Sequence, residues 1–258
     1  MLKNLINLTE PDLDIKIYRI FEYKWLKEMF EEKKMALVKP KEWDDPFENF
    51  ILRSGGTNDK NESFTINFWD DFFGLCWTLT PESDAMWRIY SPKHEYSKIE
   101  DKVIAKREGV KVETTIRKLF TSFYSTGGEF ASISNFIGKV EYHKKEELVR
   151  MLEDSELMKS MIMDSSMFGQ ASTFMFKRLA FKHEKEVRLI YAYPNKPVPE
   201  KLYKFSINPN DLFDQIVFDP QIELKEFEKR REELKKLGFN KKIIKSGLYD
   251  LPQLKLNI

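Results

Sequence analysis

The chain has 258 residues, 41% hydrophobic and 33% charged, with 21 Phe, ten Tyr and five Trp, a composition that excludes a disordered or low-complexity polypeptide. Lys plus Arg number 43 against 42 Asp plus Glu, so the net charge of +1 gives no global electrostatic case for nucleic acid or an anionic membrane. The single cysteine, Cys76, excludes an intrachain disulfide and a multi-thiolate metal site, and fits a reducing, cytoplasmic setting.

The opening "MLKNLINLTEPDLDI" lacks the continuous apolar core of a signal peptide. No apolar run reaches the roughly 18 residues needed to span a bilayer, so an intracellular protein without a membrane partner is expected. "DIKIYRIF" (14 to 21) then alternates as a strand, "EYKWLKEMFEEKK" carries a helical apolar stripe, and "MALVKP" reads as a second strand ended by Pro40. "WDDPFE" is a turn, because Pro46 pushes Asp45 out of the helical region. The polar stretch 53 to 64, "RSGGTNDKNESF", reads as an exposed loop insertion.

"FGLCWTLT" (73 to 80) is a strand, followed by a helix over "TPESDAMWRIY" with Thr80 expected as cap and Pro81 as its first residue. Residues 97 to 130 are expected to be mostly helical around "ETTIRKLFTSFY", "SNFIGKVEYH" a strand, and 144 to 181 one or two long helices whose methionines fill core. "FKHEKEVRLIYAY" gives a further strand, "KLYKFSI" and "DQIVFDP" two more, and "QIELKEFEKRREELKKLGF" a helix stopped at Gly238 before "KKIIKS" returns to the sheet. With no regular βαβ beat, no repeat and no linker, the expectation is one α+β domain over 1–258 around a mixed, largely antiparallel sheet with flanking helices.

Three constellations carry chemistry. In "HEKEVRLI" a strand would put Glu184, Glu186 and Arg188 on one face, where the guanidinium can hold one carboxylate. That face is either a wet edge or the floor of a site. Arg19, inside an apolar strand, is either a spacer or a rigid fork for phosphate or carboxylate. "CWTLTPESDAMWRIY" places Thr78 at a strand end and Trp87 and Tyr90 on the next helix, which serves a core or an anionic ligand with a flat ring.

Asp44, Asp45 and Glu48 could join Glu184 and Glu186 around a metal ion, yet turn formation alone explains them. His94, His143 and His183 form no HxxxH or HExxH pair, so no metal is expected. Phosphate-loop, dinucleotide and serine-elbow motifs are absent.

Tyr18-Arg19 on a first strand, "WDDPFE" after a helix, "CWT" shortly before "MWRIY", and Lys177, Phe181, Glu184, Glu186 and Arg188 in "KRLAFKHEKEVRLI" together resemble the bacterial domain-of-unknown-function family 2971. "IVFDP" and "IIKSGLY" look like that family's ending. The order arginine, hydroxyl residue, Glu-x-Glu more distantly resembles arginine-serine-glutamate mono-ADP-ribosyltransferases, and an ADP-ribosyltransferase-like fold is what this implies. The resemblance implies NAD as substrate, held at its pyrophosphate or ribose by Arg19, with Thr78 bracing the site and Glu186 bonding the ribose and stabilising the oxocarbenium-like transition state. Glu184 would orient or deprotonate the acceptor, Arg188 would join Arg19 and Thr78 in binding the NAD, and Trp87, Tyr90 or Phe181 would cover the nicotinamide. Threonine stands where those enzymes carry serine, and the gap from Thr78 to Glu184 is longer than theirs.

A defence or toxin role is the setting this reading implies, with the acceptor unassigned among protein, nucleic acid and small molecule. Three alternatives stay open: a metal-dependent nuclease using Asp44, Asp45, Glu184 and Glu186, a non-catalytic recognition module, and a glycohydrolase that passes ADP-ribose to water.

Overall fold

The structure is a computed structural model, and it describes residues 3–43, 45, 48, 51, 54–57, 61–66, 68–91, 96–97, 102–103, 108–193 and 201–251. The chain divides into two compact units. The first holds 1–17, 34–80 and 115–207, the second 18–33, 81–114 and 208–258. The architecture is α+β with a mixed, mostly antiparallel sheet, as the interspersed strand and helix signals indicate.

In the first unit the strands lie side by side in the order Leu5–Ile6, Asn135–Lys139, Glu186–Ala192, Phe72–Thr78, Lys34–Val38 and Leu202–Ser206. Among these six strands every ladder is antiparallel except that of Leu5–Ile6 with Asn135–Lys139. Glu186–Ala192 is flanked on both sides, and all seven of its residues are buried. The wet-edge reading of this strand is therefore overturned, because its neighbours' ladders and the helices above it exclude water from both faces.

Ile190 and Ala192, on the same pleat face as Glu186 and Arg188, pack with Phe72, Phe136, Phe174 and Met175. The charged end of that face thus continues directly into apolar core.

In the second unit Gln215–Phe218 lies between Gly109–Thr115, antiparallel, and Lys242–Lys245, parallel, with Lys16–Glu22 beside Gly109–Thr115. The unit also holds the helices Tyr23–Glu32, Asp84–Tyr90, Pro209–Leu212 and Leu224–Lys236. Ile20, Met86, Trp87 and Val217 form one of its cores, and Tyr23 and Phe227 pack on Phe218.

Several expectations are corrected. Residues 109–115 are a strand, since their alternation of Val110 and Val112 with Lys111 and Glu113 has period two, and the helix begins only at Ile116 under a Thr115 cap. The expected long helices of 144–181 are Lys145–Glu153, Ser155–Ile162 and Phe168–Thr173 followed by the strand Phe176–Arg178. The Asp154 side chain caps the second helix and a left-handed Met167 precedes the third, which breaks the run. Met163 is 79% exposed, so not all of the methionines there fill core. The helix after the "TLT" strand starts at Asp84 with Ser83 as its flanking residue, and Thr80 is not its cap. Of the 53–64 loop, the described part pairs Gly55–Thr57 with Ser63–Thr65 as a short ladder.

Candidate functional site

Five charged side chains meet at the Glu186 end of the first unit's central strand. The Lys177 ammonium lies 2.5 Å from Glu186 Oε1, 2.6 Å from Glu184 Oε2 and 2.9 Å from Glu48 Oε1. The Arg188 guanidinium takes Glu186 Oε2 at 2.6 Å through Nε, Glu48 Oε1 at 2.6 Å and the Phe174 carbonyl at 2.8 Å. Its planar face covers the Trp43 ring at 4.5 Å. All five side chains are buried, and Arg188 is only 1% exposed.

Local geometry explains how two glutamates so close in sequence converge on one ammonium. Glu184 is not on the strand: it ends the 3₁₀ turn Leu179–Glu184, and Lys185 adopts the left-handed conformation at φ +44°. The backbone bends there, so the pair is set by a turn and not by pleat alternation.

Three hydrogen bonds tie the main chain around the turn. Thr78 Oγ1 donates to the Glu184 carbonyl at 2.5 Å, Leu79 N–H donates to the Lys185 carbonyl at 2.9 Å, and Glu186 N–H donates to the Tyr142 hydroxyl at 2.8 Å. The cross-strand register sets Thr78 opposite Glu186 and Cys76 opposite Arg188 on the same face.

Three carboxyls against two cations leave one surplus negative charge in a dry place, and burial raises the cost of keeping it. It is settled unequally. Burial pushes Glu184 up to about 7, with the hydrogen bond to Glu186 adding to the rise. Glu186 feels the same burial, but the charge of Arg188 and its bonds with Glu184 and Arg188 hold it far below the usual carboxylate range. Burial works against the charge of Lys177, yet the carboxylates of Glu186 and Glu48 outweigh it and raise the ammonium above its ordinary value. Burial and the Glu186 charge push the Cys76 thiol well up, so it is no thiolate nucleophile. The arrangement presents a fixed anion beside a carboxyl that can gain or lose a proton near neutrality.

Phe181 lies under both Lys177 Nζ, at 4.6 Å, and the Arg178 guanidinium, at 5.3 Å. Of the residues singled out in sequence, the structure brings Glu184, Glu186, Arg188, Thr78 and Phe181 together in the first unit. Arg19, Trp87 and Tyr90 belong to the second. There Arg19 is half-buried with its guanidinium 5.2 Å over Phe21, Trp87 is buried with Nε1–H donating to Glu82 at 3.1 Å, and Tyr90 is exposed.

Asp44 lies outside the described residues, and Asp45 is bound by Arg178 at 2.7 Å. Among the described residues no group of three or more His, Cys, Asp or Glu could hold a metal ion. The position between Glu48, Glu184 and Glu186 that a divalent ion would need is taken by the Lys177 ammonium. Lys177 and Glu48 are the members whose joint role sequence reasoning missed. The signal available was a lysine in the apolar stretch "FMFKRLAF", where an unpaired ammonium could not be buried.

No helix among the described residues is long and apolar enough to cross a membrane. No family model matches the chain, and no curated protein matches it in sequence. Among solved structures, Thermus sp. 2.9 DarT in complex with carba-NAD+ is similar at 13% identity, covering 93% of this chain and 97% of that one, with a TM-score of 0.37. The same protein in complex with ADP-ribosylated ssDNA is similar at 12% identity, covering 93% and 98%, with a TM-score of 0.40.

Proposed function

We propose that the chain cleaves NAD at the nicotinamide glycosidic bond and transfers ADP-ribose to an acceptor. The observation that carries this reading is the unequal pair itself: Glu186 meets two cations, Lys177 at 2.5 Å and Arg188 at 2.6 Å, while Glu184 next to it meets Lys177 at 2.6 Å and makes no bond to Arg188. As the bond between ribose C1′ and the nicotinamide nitrogen breaks, its electron pair leaves with neutral nicotinamide and positive charge grows on the ribose. A fixed carboxylate in a dry site opposes that charge without reorganising. The acceptor then bonds to C1′ and gives its proton to Glu184.

Arg188 keeps Glu186 charged and aimed, and Thr78 anchors the turn through the Glu184 carbonyl. The sequence resemblance assigns Arg19 to the pyrophosphate or ribose, and Phe181, Trp87 or Tyr90 to the nicotinamide ring. The acceptor class, whether protein, nucleic acid, small molecule or water, and a defence or toxin setting belong to this proposal as open branches. Product analysis separates water from the rest, because only hydrolysis accumulates free ADP-ribose.

A second reading is a purely structural ionic pin, favoured by the occupation of both Glu186 oxygens by cations. Thermal-shift titration with NAD and an assay of nicotinamide release decide between the two. The transferase reading expects a shift at millimolar NAD and release that Glu186→Gln abolishes in a folded variant. No shift and no release in the unsubstituted protein would leave the pin.

A further inference from the structure

The Lys177 ammonium donates hydrogen bonds to Glu184 and Glu186 and pairs with Glu48 at 2.9 Å, so three carboxylates surround it. Among the described residues Lys177 is the cation that touches both Glu184 and Glu186. Arg188, by contrast, reaches Glu186 and Glu48 and the Phe174 carbonyl, and makes no bond to Glu184.

The lysine is mounted on the strand Phe176–Arg178, which pairs in parallel with Glu141–His143 so that Lys177 lies opposite Tyr142. The Tyr142 hydroxyl in turn accepts from the Glu186 main chain. One ladder therefore fixes both the ammonium and the backbone of the residue it serves, and the Phe181 ring supports the ammonium from another side.

From this geometry we infer that Lys177 is a positioning residue: its one ammonium locks Glu184 and Glu186 together and supplies the positive charge that offsets Glu186 beside Glu184. Without that cation Glu184 would be a buried carboxyl facing an anion, and would hold its proton too tightly to serve as a base. Among the described residues, the other ionisable groups facing the pair are Glu48, Arg188, Cys76 and Tyr142. None of the four replaces Lys177, because Glu48 is acidic, Cys76 and Tyr142 are neutral at pH 7, and Arg188 is already shared between Glu186 and Glu48. The catalytic half of this inference rests on the proposed NAD reaction, and the electrostatic half does not.

Carbon-detected NMR of the glutamate carboxyl groups tests the electrostatic half directly in the full chain. Glu184 should titrate near 7 in the unsubstituted protein and well above 7 in Lys177→Met, with Glu186 ionised throughout the neutral range in the former. A folded Lys177→Met in which the Glu184 midpoint does not move overturns the inference.

Should that variant fail to fold, the nitrogen signal of Lys177 in the unsubstituted protein decides instead. A slowly exchanging ammonium that senses the Glu184 titration supports the shared bond, and a freely exchanging one overturns it. For the catalytic half, the pH profile of complete NAD turnover, in which the acceptor's proton passes to Glu184, should move to alkaline pH in Lys177→Met along with the NMR midpoint. An unmoved profile beside a moved midpoint overturns the role in the reaction. Absence of release from the unsubstituted protein sinks the NAD reading alone, and the NMR results still decide what Lys177 does.

Discussion

The hydroxyl of Thr78 donates to the main-chain carbonyl of Glu184 across 2.5 Å, and it also accepts the N–H of Thr80 at 3.0 Å. One buried side chain thus ties the end of a central strand to the turn that delivers Glu184. Thr78→Val keeps the shape and leaves both partners unmet, so a loss of about 1–3 kcal/mol in urea unfolding is expected. Thr78→Ser should retain most of that stability, because its hydroxyl can make the same two bonds.

Stability should depend on pH through Glu184. Its carboxyl sits at about 7 in the folded chain against a usual 4.5, so the folded state binds the proton more tightly. The stabilisation from this group is complete below about 4.5 and is lost as pH rises to about 7. Glu186 has the opposite sign, and its contribution is lost only as pH falls below the usual carboxylate range. Unfolding midpoints measured between those two pH values should therefore carry a downward slope that Glu184→Gln removes. An unchanged slope in that variant would assign it to other groups.

Removing the guanidinium leaves Glu186 and Glu48 buried with only Lys177 to share. Arg188→Met should cost about 3–5 kcal/mol, the scale of an uncompensated buried charge. Adding Glu48→Gln to that variant should recover part of the loss, and denaturant titration of the single and double variants measures it.

Gly74 faces the Trp43 ring so closely that a Cβ built there would lie 2.4 Å from Cζ2 and 2.9 Å from Cη2. Gly74→Ala must displace the indole that covers Arg188. A destabilisation of about 1–3 kcal/mol is expected, with a change in tryptophan emission as the check.

How much of this was readable beforehand follows from range. Apolar runs such as Leu189 to Tyr191 and Phe72 to Trp77 announce strands locally, and the α+β class follows from their spacing along the chain. The pairing of Glu186 with Arg188 was also local, being two residues apart on one pleat. Glu48 and Lys177 were legible only as a turn residue and a lysine in an apolar stretch, because their bonds to Arg188 and Glu186 close loops of 140 and nine residues. The Glu184 position was misread as strand because handedness at one lysine leaves no mark in hydrophobic periodicity. The strand Gly109–Thr115 was concealed by the adjoining helix signal, whose Thr115 cap sits inside the same stretch.

That lysine, Lys185, has a consequence of its own. An L-residue held at φ +44° gives up about 1–2 kcal/mol that glycine would not, so the bend survives on the bonds at either side of it. Glycine or asparagine there should relax the backbone and keep the acids together, whereas a β-branched replacement should swing them apart without touching either one. The span between the two acids is in this sense a matter of chirality at a single α-carbon, and a side chain pointing into solvent governs it.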